Sequence, residues 1–303
     1  MTTAPAPSAA SVQSQLAAAQ AAQASGEYTA ALDMFREILA ENPTVASAYV
    51  GIGDVYVAQG NYVEAEPAFA RAARIEPRNF AAQFGHGNVL QKLKRFVEAI
   101  RAYARALSIE PESFEANLRM AQTYLALDDP NGALVYAEKA AQLQPGSGPA
   151  RIALGQAYEG VGRPREAIDQ FETAMELVEP TPDLLLSLIR AYGSEKRYNE
   201  AVNAAELLVK TAPSAAAYER LGWSYFRLGQ YEQSMTAYRD AVRLDEAYWP
   251  ALNGIGVNAL NAWLVSDRTD ARAAAEAKDA FRRSLRANPN QPKVVRLLTT
   301  YPL

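Results

Sequence analysis

The strongest constraint on the fold of this chain is a repeat of 34 residues. Prolines recur at that spacing, at Pro43, Pro77, Pro111 and Pro145. An alanine column has the same period, at Ala31, Ala65, Ala99, Ala133, Ala167 and Ala201. Self-similarity at a fixed period of this length indicates stacked supersecondary units, each of which contacts its neighbours, rather than one conventional core.

Further columns share the period. Small residues recur at Gly53, Gly87, Ala121 and Gly155, and aromatic residues at Tyr56, Tyr124, Tyr158 and Tyr192. Bulky residues recur at Phe35, Phe69, Tyr103 and Phe171. After Pro213 the spacing shortens by one residue, and the pattern resumes with Gly222 in the small column. So many columns at one period are not a chance coincidence.

The first half of one unit, residues 46–60, has the pattern of a helix. One helical face would carry Tyr49, Ile52, Gly53 and Tyr56, whose spacing matches a period of 3.6 residues. Gly60 is placed to end this helix with a positive φ. We expect a small residue to be needed at Gly53 because two helix backbones approach each other closely there, with Tyr56 and Phe69 filling the gaps beside it.

The second half of the unit predicts another helix. Asn61 is suited to its N-cap, and its inward stripe is Ala65, Phe69 and Ala72. Pro77 then ends the unit, because proline cannot continue the helical hydrogen-bond ladder. Each repeat is therefore predicted to be a pair of helices joined by a short turn.

This pattern resembles the tetratricopeptide repeat, whose period is also 34 residues. The resemblance covers nearly the whole chain and implies an all-α fold, a right-handed α-solenoid of about eight helix-turn-helix repeats. We expect a disordered tail at 1–11 and a single solenoid over 12–303. Its repeats are placed at 12–45, 46–79, 80–113, 114–147, 148–181, 182–214, 215–248 and 249–291, with a partial capping helix at 292–303.

The last repeat departs from the pattern. Gly256 and Ala277 are 21 residues apart, whereas Gly53 and Ala65 are 12 apart, which is an insertion of nine. We expect the insertion to lengthen both helices of the repeat, with Ser266–Asp270 as the turn.

Composition narrows the function. There is no cysteine and one histidine, His86, so disulfides and His/Cys metal clusters are excluded. A formal net charge of -4 argues against nucleic acid as the main ligand. His86 is expected to be a partly buried side chain, with catalysis as the alternative. We therefore predict no cofactor, no metal and no enzymatic activity.

The sequence has no run long and apolar enough for a membrane span, and residues 1–26 lack the basic start of a secretory signal. These features predict a cytoplasmic protein that does not span the membrane. Arginine outnumbers lysine and alanine is abundant, as in many GC-rich bacteria, which favours a bacterial source.

The resemblance implies that the first helix of each repeat lines a groove that binds peptides. The residues next to the small column are polar in the middle of the chain, at Asn88, Gln91, Lys92, Arg119, Gln122, Gln156 and Glu159. Toward the C-terminal end they become cationic and aromatic, at Arg190, Arg220, Trp223, Phe226 and Arg227. The amides are suited to an extended peptide backbone, and Trp and Arg to anchoring an interface.

Two interpretations of this stripe stay open. A polar stripe on a helical array is often only its solvated face. A ligand groove is favoured because Trp223 and Phe226 would otherwise be exposed apolar surface. Phe84 suits either the groove or the core. The family's Lys/Asn/Lys/Arg clamp for acidic C-termini does not assemble here, since Asn88 alone supplies its column and no lysine stands three residues before the small column.

The sequence thus predicts a protein-binding adaptor whose partner is a protein or peptide. The alternative is a self-assembling scaffold, which would be a homo-oligomer. It is motivated by apolar residues near the C-terminus, namely Trp249, Trp263, Val294, Val295, Leu297 and Leu298.

Overall fold

A computed structural model describes residues 9–301, and in that range the chain forms seventeen α-helices and no strand. The all-α class and the helix-pair repeat are therefore confirmed. Contacts divide the chain after Val161 into two compact units. The prediction of one continuous domain over 12–303 stays a prediction.

The described part of the first unit, residues 9–161, contains nine helices. They are α1 (Ala9–Ala24), α2 (Tyr28–Glu41), α3 (Ala46–Ala58), α4 (Tyr62–Ile75), α5 (Phe80–Lys92), α6 (Phe96–Ile109), α7 (Phe114–Ala126), α8 (Pro130–Leu143) and α9 (Gly148–Gly160). The second unit contains eight within residues 162–301. They are α10 (Pro164–Leu177), α11 (Pro182–Ser194), α12 (Tyr198–Thr211), α13 (Ala215–Leu228), α14 (Tyr231–Leu244), α15 (Trp249–Val265), α16 (Ala271–Ala287) and α17 (Pro292–Thr300).

The predicted tail at 1–11 is too long, because α1 begins at Ala9. Alanine is the strongest helix former, and the alanine-rich stretch carries the helix back to this point. Residues 1–8 lie outside the described residues. At the other end, α17 occupies the region predicted for the capping helix.

The turn within a repeat has the conformation expected at Gly60, whose φ is +77°. At the equivalent turn, two later repeats keep a left-handed glycine, Gly162 and Gly229, and three have Lys94, Asp128 or Lys196 instead. The Asn61 side chain forms no hydrogen bond to the start of α4, although Asn61 stands at its N-cap. Its amide nitrogen donates instead to Oε1 of Gln59, over 3.5 Å.

In several repeats, the core is built on aromatic rings of second helices that lie against glycines of first helices. A Cβ atom on Gly53 would lie 2.6 Å from Cε2 of Phe69, and one on Gly85 would lie 2.2 Å from Cε1 of the same ring. The ring is almost completely buried. The ring of Phe69 therefore fills the space beside Gly53, as the sequence predicts.

In the second unit the same arrangement holds Tyr238. A Cβ atom on Gly222 would lie 2.8 Å from its ring, and one on Gly254 would lie 2.3 Å from it. A ring of α14 thus fills the space left by glycines of α13 and α15, which ties the first helices of two successive repeats to one side chain.

The insertion in the last repeat lengthens both helices, as predicted. Helices α15 and α16 have 17 residues each, against 13 in α3 and 14 in α4. The turn between them spans residues 266–270. Trp263 is buried in the extension, and its Nε1 donates to the carbonyl oxygen of Arg268 over 3.0 Å.

A Gly53→Leu variant should lose about 1–3 kcal/mol of unfolding free energy, because the new side chain must displace the Phe69 ring from a filled space. Urea denaturation followed by circular dichroism measures this loss. Gly146→Ala is the control, since nothing lies within 4 Å of a Cβ atom at that position. Equal stability of the two variants would contradict the packing described above.

Candidate functional site

In the first unit, four of the predicted site residues converge on one cavity of about 160 Å³. These four are Asn88, Gln91, Lys92 and Arg119, and the apolar part of the lining is Val57, Tyr62 and Val89. The lining comes from α3, α4, α5 and α7, which belong to three successive repeats. We call this the groove cavity. It combines amide and cationic donors with an apolar wall.

The two amides of the groove cavity are positioned by Tyr103. Its hydroxyl donates to Oδ1 of Asn88 over 2.9 Å, and Oε1 of Gln91 lies 3.2 Å from the same hydroxyl. Nε2 of Gln91 donates to Oγ1 of Thr123 over 2.9 Å. The Asn88 amide nitrogen has no hydrogen-bond partner among the described residues, so Asn88 retains a donor for a ligand.

The sequence placed Tyr103 in the bulky core column and missed this role. The ring is fully buried, as that column predicts. A signal was available, because Tyr103 carries a hydroxyl where Phe35 and Phe69 have none, and a buried tyrosine hydroxyl generally requires a hydrogen-bond partner.

The remaining predicted residues of the first unit lie outside the groove cavity. Gln122 is its neighbour, since its Oε1 accepts from Nη1 of Arg119 over 3.3 Å. Gln156 and Glu159 are on α9, where both are half-buried. The structure therefore brings the predicted stripe together around Asn88 and Arg119, and α9 supplies none of the cavity lining.

In the second unit, Trp223 belongs to a cluster with Tyr198 and Arg227. The two rings meet edge to face with centroids 6.5 Å apart. The guanidinium carbon of Arg227 lies 4.9 Å from the Tyr198 centroid and 6.0 Å from that of Trp223. Nη2 of Arg227 also donates to the Tyr198 hydroxyl.

Trp223 is half-buried, because its ring fills the space beside Gly193 of α11. A Cβ atom on Gly193 would lie 2.4 Å from Cη2 of Trp223. Phe226 is half-buried as well and packs edge to face on Tyr231, with centroids 5.4 Å apart. Both rings are therefore partly covered within the chain, so exposed apolar surface no longer favours a ligand groove at these two positions.

The two other arginines of this region differ in exposure. Arg190 is exposed, and its Nη2 donates to Oγ of Ser187 over 3.0 Å. Arg220 is half-buried, and its Nε donates to Oε2 of Glu219 over 2.6 Å. Glu219 is buried, and that burial raises the pKa of its carboxyl group. The sequence did not single out Glu219, which compensates the charge of Arg220.

His86 has the structural surroundings expected for it. The side chain is partly buried, and its Nε2 lies 3.3 Å from Oε1 of Glu66. Burial lowers the pKa of His86. Phe84 belongs to the core, since its ring stacks on Phe80 at 5.5 Å and contacts Tyr103. Among the described residues, no group of three or more His, Cys, Asp or Glu side chains could hold a metal ion.

Most of the apolar residues that suggested self-assembly are used inside the second unit. Val294 and Trp263 are buried in one cluster, and Leu297 and Leu298 pack against it. The residues that remain exposed are Val295 and Trp249, at 46% and 40%. Within the described residues, no helix is both long and apolar enough to cross a membrane.

Comparison with known families identifies the repeat. Three tetratricopeptide repeat models match residues 16–82 and 152–214, residues 90–134, and residues 215–248, which together make up more than half of the chain. The chain therefore belongs to the tetratricopeptide repeat family. No curated protein sequence gives a significant match.

Solved structures share the fold. The C-terminal part of a TPR repeat-containing protein from Cytophaga hutchinsonii is 18% identical, covers 79% of this chain and 99% of its own, and has a TM-score of 0.62. PilF of Pseudomonas aeruginosa is 18% identical over 69% of this chain and 95% of its own, with a TM-score of 0.58.

A third similar structure is YrrB, described as a TPR protein with an unusual peptide-binding site. It is 16% identical over 65% of this chain and 98% of its own, with a TM-score of 0.54. At these identities the likeness shows the fold alone.

A Tyr103→Phe variant should lose about 0.5–1.5 kcal/mol of unfolding free energy, because the hydroxyl that binds Asn88 is removed while the buried ring is kept. Chemical denaturation measures the loss. Tyr49→Phe is the matched control, since the Tyr49 hydroxyl forms no hydrogen bond within the described residues. If both variants lose the same amount, Tyr103 does not organise the amides.

Glu219 should make stability depend on pH. Because burial raises its pKa in the folded state, ionisation opposes folding. This contribution should raise the melting temperature as pH falls through the raised pKa toward the ordinary value of 4.5, and lower it as pH rises. Glu219→Gln should flatten that part of the profile, whereas Glu246→Gln, at an exposed position, should not. A wild-type slope retained in Glu219→Gln would refute the assignment.

Proposed function

We propose that this chain is a protein-binding adaptor whose first-helix surface captures an extended segment of a partner protein. The proposal rests on the groove cavity, because residues of three successive repeats converge on it. Proteins built from tetratricopeptide repeats generally mediate protein–protein interactions, and the peptide-binding site described for YrrB supports the same mode here. The repeat itself is a scaffold, and enzymatic activity is no part of the proposal.

The lining of the groove cavity defines the kind of segment. The Asn88 amide nitrogen, Lys92 and Arg119 are all donors, so they suit the carbonyl oxygens of an extended backbone. The wall of Val57 and Tyr62 suits an apolar side chain of the same segment. The volume of about 160 Å³ matches one inserted side chain better than a helix.

In the second unit, the cluster of Trp223, Tyr198 and Arg227 supplies a further contact surface. Its aromatic faces are partly covered by one another and by Arg227, so the cluster is a rigid contact surface and not an open apolar patch. Tyr231 is 48% exposed and adds aromatic surface on α14 that the sequence interpretation did not include. A cytoplasmic location, a bacterial source and a ligand other than nucleic acid remain part of the proposal.

Charge reversal at the groove cavity tests the proposed function. Arg119→Glu should abolish recovery of the partner in affinity capture from native extract followed by mass spectrometry, because it replaces a donor with an acceptor at the cavity wall. Arg71→Glu, an exposed reversal on α4, is the control and should capture the same partner as the wild type. Circular dichroism should show equal helicity.

Two variants extend the test to the second unit. Trp223→Ala and Arg190→Glu should weaken capture of the same partner without changing helicity. Unchanged capture by Arg119→Glu and by both of these variants would remove the first-helix surface from the function. Sedimentation over a wide concentration range tests the alternative, a homo-oligomeric scaffold, which a constant monomer mass would refute.

A further inference from the structure

Four cavities recur at one position of the repeat, on a surface different from the groove cavity. The floor of each cavity is formed by two residues of a first helix, one four positions and the other one position before the small column. Second-helix residues form its walls. The floor pairs are Gln83 and His86, Leu185 and Leu188, Tyr218 and Leu221, and Leu252 and Ile255. We call these cavities second-helix furrows.

The furrows differ in chemistry. The furrow over α5 is lined by Arg74, Arg105 and His86 and is basic. The furrow over α15 holds about 160 Å³, and the ion pair between Arg239 and Glu276, 2.6 Å long, lies in its lining.

The furrow over α11 holds about 300 Å³ and has an apolar floor. Its two carboxylates, Glu172 and Glu200, are both bound by Arg197, over 3.1 and 2.8 Å. Its acidic charge is therefore largely compensated.

The furrow over α13 is the largest of the four, at about 380 Å³. It has an aromatic and aliphatic lining at Tyr218, Leu221, Tyr225 and Ala237, with Glu232 and Asp240 at its walls. Beside it, the Tyr225 hydroxyl donates to Oε1 of Glu206 over 2.5 Å.

The acidic charge of this furrow is only partly compensated. Asp240 pairs with Arg243 over 2.7 Å, but the Arg243 side chain is 77% exposed, so the pair is well solvated. Glu232 is exposed and has no ion-pair partner among the described residues. Glu206 accepts the Tyr225 hydrogen bond and likewise has no cationic partner in the described part of the chain. The furrow thus joins tyrosine rings to one carboxylate without a resident cation, Glu232, and to one whose cation is largely in solvent, Asp240.

We propose that the furrow over α13 binds a lysine or arginine side chain of a partner protein, presented beside an apolar residue of the same partner. A cation within about 6 Å of a tyrosine ring is attracted by the ring quadrupole. Carboxylates at the wall add charge complementarity, which selects basic partners and rejects acidic ones. The Leu221 and Ala237 surface receives the apolar neighbour.

This furrow and the Trp223 cluster lie on opposite sides of α13. Each furrow residue of α13 stands two positions before a residue of the predicted stripe: Tyr218 before Arg220, Leu221 before Trp223, and Tyr225 before Arg227. Two residues along an α-helix correspond to a rotation of about 200°. One helix therefore presents two surfaces, so an adaptor could hold a segment on its first-helix surface and a basic partner in the furrow at once.

Fluorescence anisotropy with a short, labelled helical peptide of leucine and lysine tests the proposal on the full chain. The matched probe has glutamate at every lysine position. The leucine–lysine peptide should bind the wild type, and Glu232→Lys should weaken that binding by about tenfold or more through charge repulsion. Glu232→Gln should give an intermediate loss of affinity. Because this variant keeps the size of the side chain, its loss cannot be attributed to misfolding caused by the lysine.

Glu246→Lys is the control for general attraction to an acidic protein, because it makes the same charge change at an exposed position outside the furrow. It should leave the affinity nearly unchanged. In nuclear magnetic resonance spectra, the peptide should shift the backbone amides of Gln233, Thr236 and Ala237. Trp223→Ala should bind the peptide as the wild type does. The proposal for the furrow and the proposed function of the first-helix surface can therefore be rejected independently.

Three outcomes would overturn the proposal. Equal weakening by Glu232→Lys and Glu246→Lys would mean attraction to the whole surface. Equal binding of the glutamate peptide would mean a purely apolar surface. Loss of binding in Trp223→Ala, with no amide shifts around Thr236, would place the peptide on the first-helix surface.

Discussion

The contacts between repeats depend on second-helix side chains packing against small residues of first helices. The tightest case is a ring inserted between glycines of two first helices. Phe69 lies against Gly53 of its own repeat and Gly85 of the next, so one side chain joins neighbouring repeats. Each repeat buries only part of its apolar surface alone and needs such contacts with its neighbours to be stable. Because the ring already fills the space between these helices, side-chain volume is tightly constrained at the glycines.

The groove cavity occurs where this packing rule changes. One repeat further along the chain, the position equivalent to Gly85 is Arg119. The position equivalent to Phe69 is Tyr103, so the ring there carries a hydroxyl. The Tyr103 hydroxyl orders Asn88, and Arg119 contributes to the cavity. Departures from a local rule are expected at functional sites, where packing is exchanged for recognition.

Much of the fold was predictable from the sequence because it follows from periodicity. Helix pairs, the turn at Gly60 and the lengthened helices around Ser266–Asp270 follow from spacing alone. The candidate site was predictable only as a stripe. Its members Asn88 and Lys92 were found, whereas Tyr62 and Tyr103 were not, because spacing within one helix says nothing about which residue of another helix completes a cavity.

The sequence by itself determined the family, the register of the repeats and the face of each first helix next to the small column, since all three are encoded in residue spacing. Only the tertiary structure decided which side chains remain available. Arg220 is compensated by buried Glu219, Trp223 is half-covered beside Gly193, and Glu232 stays without an ion-pair partner in the described chain. The available surface depends on contacts between neighbouring helices, and these are set by geometry that residue types alone do not specify.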